Sequence, residues 1–195
     1  MKAVFYVFVV LLAALSLAPI SSVHAQASTK MTPEEILAAI KPGIGVKLEG
    51  VIQRDYSVLC MKAKILTGDF RDDDWSITAV AGSIDKAQQE FKLLRLPVKT
   101  RSTTDYETKI GVFKSFDDLK AGTLVEVDGT YLKGDTLLAL EIEDVSAELV
   151  AEPGSENEVE IKGKVEKVDV PNRTVTLMGI TFHINDNTRL KSASK

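Results

Sequence analysis

Ile77-x-Ala79-x-Ala81-x-x-Ile84-Asp85 returns 84 residues later as Ile161-x-Gly163-x-Val165-x-x-Val168-Asp169. The same offset carries Phe91 onto Val175, Leu93 onto Leu177, Leu96 onto Ile180, Val98 onto Phe182 and Thr104 onto Thr188, without a gap. A second repeated segment is out of phase with the first. Gly43-x-x-Val46-x-Leu48-x-Gly50 near the start reads like Gly122-x-x-Val125-x-Val127-x-Gly129 in the middle. The chain therefore runs second half, first half, second half, first half of one unit. A fixed-period repeat bears on architecture before any local signal does, because each copy is one structural unit.

Within the unit, apolar residues alternate with polar ones, the period of a half-buried strand. Ile77, Ala79 and Ala81 mark a first strand, Phe91 and Leu93 a second, Leu96 and Val98 a third. Thr104 then falls in a polar loop. Ser115-Phe116-Asp117-Asp118-Leu119-Lys120 reads as a short helical element, with Ser115 capping and Asp118 three residues on. Gly122 ends it. A hairpin follows over 124–143, turning at Lys133-Gly134-Asp135. Three strands, a helix and two strands is the order of an OB-fold, a five-stranded Greek-key barrel. Closure removes the edges that such short strands would otherwise expose.

The flanks hold the remaining halves. Thr32-Pro33-Glu34-Glu35 opens a helix through a capping box, Ile36, Leu37 and Ile40 form its apolar face, and Pro42-Gly43 ends it. Val46, Leu48 and Val51, then 58–66, make a hairpin. Residues 159–168, 174–177 and 180–184 repeat the three strands. The expected fold is all-β with short helices: two OB-like five-stranded barrels, the second formed by the N- and C-terminal half-repeats and so circularly permuted. The alternative pairs each half with another molecule in a strand-exchanged oligomer. The expected divisions are a signal peptide at 1–25, an N-terminal half-repeat at 26–68, a central OB-like domain at 75–146, a linker at 147–157 and a C-terminal half-repeat at 158–192.

Lys2 followed by the uncharged run from Ala3 to Ala18, then Pro19 and Val23-His24-Ala25, has the pattern of a secretory signal peptide cleaved after Ala25. The run is short of the ~20 residues that span a bilayer. A periplasmic or secreted location follows, with no membrane span in the mature form. The mature chain would hold 23 basic and 28 acidic residues. That acidic balance argues against nucleic acid as partner, since phosphates need basic neutralisation.

These motifs resemble a family of exported bacterial domains, domain of unknown function 5666. Residues 77–85, 91–98, Asp118-Leu119, Gly122, Val125-Glu126-Val127, Gly129, Leu138-Ala139 and Ile142 follow its pattern. Residues 159–190 follow its first half again, with Gly163, Asp169, Gly179 and Thr188 in place, and 43–66 follow its second half more loosely. Ala79 stands where the pattern prefers Gly, and Leu94-Arg95 replaces its Met-Gly turn. The resemblance implies a secreted, OB-like β module and brings no activity or site residues.

Candidate chemistry is sparse. Cys60 is the lone cysteine, in an apolar run and opposite Ala139 in the repeat, and reads as a small core residue. His183 is the one histidine of the mature chain, between Phe182 and Ile184, and so on the opposite strand face. Asp69, Asp72, Asp73 and Asp74 lack calcium-loop spacing and read as a solvated connection. No catalytic, cofactor or metal residues are identified, and no cofactor is implied. The candidate ligand-binding residues are the aromatics Trp75, Tyr56 and Tyr131. Trp75 also reads as a barrel plug. Tyr56 and Tyr131 lie near hairpin turns, where OB-folds bind oligomeric ligands. The expected function is a non-enzymatic binding or assembly module with an envelope protein or a glycan as partner. The alternatives are a carbohydrate-active enzyme using unrecognised carboxylates, or a purely structural accessory domain.

Overall fold

The computed structural model describes residues 31–108, 111–147 and 157–191. The expected signal peptide, its cleavage after Ala25 and all but the ends of the 147–157 linker lie outside the described residues. The described chain begins with α1 (Pro33–Ala39). Its capping box is formed: Glu35 N donates to Thr32 Oγ1 at 3.2 Å, and Thr32 N donates to the Glu35 carboxylate at 2.8 Å. Strands β1 (Gly45–Ile52) and β2 (Val58–Ile65) form a hairpin with a register shift at Glu49/Gly50. Then come β3 (Trp75–Asp85), β4 (Glu90–Leu93), β5 (Leu96–Lys99) and β6 (Asp105–Thr108). A 3-10 turn at Phe116–Asp118 precedes β7 (Leu124–Leu132) and β8 (Thr136–Asp144). The last strands are β9 (Glu158–Lys164), β10 (Lys167–Asp169), β11 (Thr174–Leu177), β12 (Ile180–His183) and β13 (Arg189–Lys191).

Two five-stranded barrels of OB order result. The central ring runs β3–β4–β5–β8–β7 and back to β3, with β5–β8 parallel and the other pairs antiparallel. The second ring runs from β9 and its continuation β10 through β11, β12, β2 and β1 back to β9, with β12–β2 parallel. The first and last parts of the chain thus pair with each other, in the circularly permuted arrangement.

The repeat extends to individual hydrogen bonds. Gly122 N donates to Ala81 O and Ala81 N to Thr123 O, both at 2.8 Å. The second barrel repeats this with Gly43 N to Val165 O at 2.8 Å and Val165 N to Ile44 O at 2.9 Å. The Thr104 hydroxyl donates to Ala139 O at 2.9 Å, and the Thr188 hydroxyl to Cys60 O at 2.8 Å. Both threonines are buried. Each such bond contributes roughly 0.5–1.5 kcal/mol net, and the one from Thr188 clips the C-terminal half to the N-terminal hairpin.

Two features differ from the sequence reading. The segments after Thr104 and Thr188 form short strands, β6 parallel to β8 and β13 parallel to β2. Each turns a single apolar residue inward, Tyr106 or Leu190, too little to register as alternation. The segment 159–168 also breaks at Val165-Glu166, where the equivalent part of β3 carries a register shift between Ala81 and Ile84. Both irregularities let the first strand bend around its barrel.

The barrels join through their first strands. β3 pairs antiparallel with β9, Ile77 facing Ile161, with Ser76 opposite Lys162 and Thr78 opposite Glu160. Ile77 and Ile161 are the same position of the repeat, so a local two-fold axis passes between them.

Candidate functional site

The two-fold relation creates two equivalent clefts where a β-hairpin of one barrel faces β3 or β9 and the following hairpin of the other. Side-chain size closes one and leaves the other open. On the closed side Trp75 lies over Gly163, where an added Cβ would sit 2.5 Å from the indole. Phe70 meets Trp75 edge-on at 5.4 Å between centroids, and Tyr131 meets it at 5.0 Å. The Tyr131 hydroxyl donates to Asp135 Oδ1 at 2.7 Å, and Gly179 N donates to the Glu166 carboxylate at 3.1 Å. Burial, then the Asp135 carboxylate, pushes the Tyr131 phenol well above its ordinary value. Trp75 is 8% exposed and Met178 is buried. Trp75 and Tyr131 are therefore packed together as the plug of this cleft.

The open side is a groove of about 680 Å³ lined by Ile52, Val80, Gly82, Ser83 and Leu94, with Tyr56, Lys92 and Arg95 at its rim. Its volume falls in the ~300–1,000 Å³ range of small-ligand sites. The repeat explains why it is open. Ile52 stands at the position of Tyr131, Tyr56 at that of Asp135, Gly82 at that of Glu166 and Arg95 at that of Gly179. Val159, at the position of Trp75, is too small to fill it.

The backbone of Tyr56, a half-exposed residue, is fixed by the turn that carries it. It occupies the left-handed region, φ 66°, in the β1–β2 turn. Gln53 N donates to Ser57 O at 2.8 Å, Tyr56 N to Gln53 O at 2.9 Å, and the Ser57 hydroxyl to Asp55 Oδ1 at 2.7 Å. Across the groove, the Arg95 guanidinium lies 4.8 Å from the Tyr56 ring centroid, a cation–π contact between the barrels. Among the described residues neither Lys92 nor Arg95 forms an ion pair, and no carboxyl lines the groove. The site thus offers an aromatic face, an apolar floor and two cations without a counter-charge.

Of the three aromatics expected to bind ligand, only Tyr56 lines this groove; Trp75 and Tyr131 sit on the far side of the two-fold axis. Arg95, Lys92 and Leu94 line the groove as well and are not among the ligand-binding candidates of the sequence reading. The Leu94-Arg95 departure from the family's turn was the available signal.

The other candidates sit apart from the groove. Cys60 is fully buried, and burial pushes its thiol up to about 12, so it stays protonated at neutral pH. His183 is exposed on β12. In the acidic connection Arg71 lies 3.5 Å from both Asp73 and Asp74, Arg71 N donates to Asp74 Oδ2 at 2.7 Å, and Asp72 lies 3.9 Å from Lys164 Nζ of β9. Among the described residues no group of three metal-ligating side chains is found, and no helix is long and apolar enough to cross a membrane.

A family model described as Domain of unknown function (DUF5666) matches residues 76–143 and 162–195. No curated protein and no solved structure matches the chain.

Proposed function

The chain belongs to the family described as domain of unknown function DUF5666, and from that premise we propose that it is an exported, non-enzymatic binding module of the bacterial periplasm or envelope, with an acidic oligosaccharide as ligand. The observation that carries this reading is the groove between the barrels, where Tyr56 stands beside the unneutralised Lys92 and Arg95. A sugar ring stacks on an aromatic face, and its carboxylate meets the two cations. Arg is suited to that role by its fixed planar donors. Export rests on the signal-peptide pattern of residues 1–25.

A carbohydrate-active enzyme needs two carboxyls flanking the scissile bond. The carboxyls with raised pKa values, Glu126, Asp128 and Glu141, lie on β7 and β8 and line no part of the groove. That placement favours binding over hydrolysis here. The chain from Gln26 onward should bind uronate-containing oligosaccharides on a glycan array and, by calorimetry, lose about tenfold in affinity with Tyr56→Ala or Arg95→Ala, equivalent to ~1.4 kcal/mol. Neutral glycans should bind more weakly. Absence of binding, or binding indifferent to both substitutions, would overturn the assignment.

A further inference from the structure

The outward-facing residues form two rows that cross both barrels without interruption. On β6, β8 and β7 they are all acidic. Asp105 is paired with Glu141 and Glu141 with Asp128; Glu107 is paired with Glu143 and Glu143 with Glu126. On β1, β2 and β13 they are mostly basic. Lys47 is paired with Lys64 and Lys64 with Lys191; Glu49 is paired with Lys62 and Lys62 with Arg189. Ser76 and Thr78 of β3, with Glu160 and Lys162 of β9, form the middle, where Ser76 is covered to 5% exposure between the Asp128 and Lys162 positions. Eight strands at ~4.8 Å spacing make this face roughly 34 Å wide.

The two ends occupy equivalent places about the two-fold axis but carry opposite charge. Asp105 and Glu107 correspond to Arg189 and Lys191, and Glu141 and Glu143 to Lys62 and Lys64. Like charges directly opposed across strands are unfavourable within the isolated chain. The acidic end shows it: burial and neighbouring carboxylates raise the pKa values of Glu126 and Glu141. Among the described residues, Asp105, Glu107, Lys64, Arg189 and Lys191 form no ion pair.

We propose that this dipolar sheet face is a self-association surface, on which a second copy of the chain docks face to face, acidic end over basic end. A closed two-fold interface requires a patch that complements itself after a half-turn. A half-turn about an axis along the strands, through the β3–β9 junction, brings Asp105 and Glu107 of one copy over Arg189 and Lys191 of the other. The two ends of the face thereby meet their charge complements in an identical chain, while Glu126 of β7 falls over Glu49 of β1.

The test is sedimentation velocity on the chain from Gln26 onward. A dimer should form near 0.01 M ionic strength, where charges interact over about 30 Å, and should dissociate as salt shortens that length to about 8 Å near 0.15 M. Asp105→Lys with Glu107→Lys should give a monomer, as should Arg189→Glu with Lys191→Glu. All four side chains are exposed, and circular dichroism checks that each variant folds. Mixed one to one, one variant carries basic outer strands at both ends of the face and the other acidic outer strands at both ends, so each end meets its complement and the mixture should restore the dimer. A monomeric parent at low salt, a mixture that stays monomeric, or assembly that grows past the dimer with concentration would each overturn the proposal.

Discussion

Gly163 and Trp75 decide which of the two equivalent clefts is filled. The indole occupies the space where a side chain at 163 would lie. At the equivalent positions stand Ala79 and Val159, a pair of more even sizes. Gly163→Ala should therefore destabilise the protein by ~1–3 kcal/mol, the range for overpacking a filled core, read as a lower denaturation midpoint. Adding Trp75→Val recreates the Ala79/Val159 pair and should recover part of the loss, a coupling that a double-mutant cycle measures. If Gly163→Ala is neutral, the indole does not depend on that space. Sequence reading named Trp75 both as plug and as ligand platform, because an aromatic at a strand start suits either. The size of its cross-barrel partner separates the two roles.

At the scale of elements, β7 and β8 carry a pH dependence. Burial raises the pKa values of Glu126, Asp128 and Glu141. Around them, Glu143, Glu160, Glu107, Asp105 and Asp74 reinforce the effect, whereas Lys47 and Lys162 oppose it. A carboxyl whose folded pKa is raised binds protons more readily folded than unfolded, so its stabilising effect is present at low pH and is lost as pH rises through that pKa. Asp74 and Asp118, hydrogen-bonded to backbone N–H groups, have lowered values and act in the opposite sense. Their contribution is present above the ordinary carboxylate range and is lost below it. The melting temperature should thus rise from pH 7 to about 5, then fall below about 4. In Glu126→Gln with Glu141→Gln the rise should shrink; a parent curve that declines from pH 7 to 5 would contradict this assignment. The elements themselves were unevenly legible. The α1 capping box and the hairpins of both units are local, so residues 32–35 and the turn glycines reveal them. β6 and β13 are held by parallel pairing to distant strands and by one inward residue each, which local patterning does not report.

For the whole molecule, the second barrel exists only because the two ends of the chain meet. β1 pairs with β9, and β12 and β13 pair with β2. Deleting 157–195 removes three of the five strands of that ring and bares both edges of the 45–65 hairpin. Unpaired edges of this kind template intermolecular pairing. The truncated chain should aggregate, measured by light scattering, and its central barrel should lose the β9 partner of β3. A truncated chain that stays monomeric and melts like the parent would show that the ends are independent of each other.

By itself the sequence determined the repeat, its phase and therefore the barrels, because glycines, inward apolar residues and buried threonines recur wherever the same backbone is built. Only the tertiary structure decided which residues meet. Tyr56 and Arg95 meet across the barrels, and the acidic and basic strands align into one face, through pairings between residues far apart in the chain. Those pairings depend on the β3–β9 junction and on unequal side chains at equivalent positions, and no periodicity along the chain encodes either.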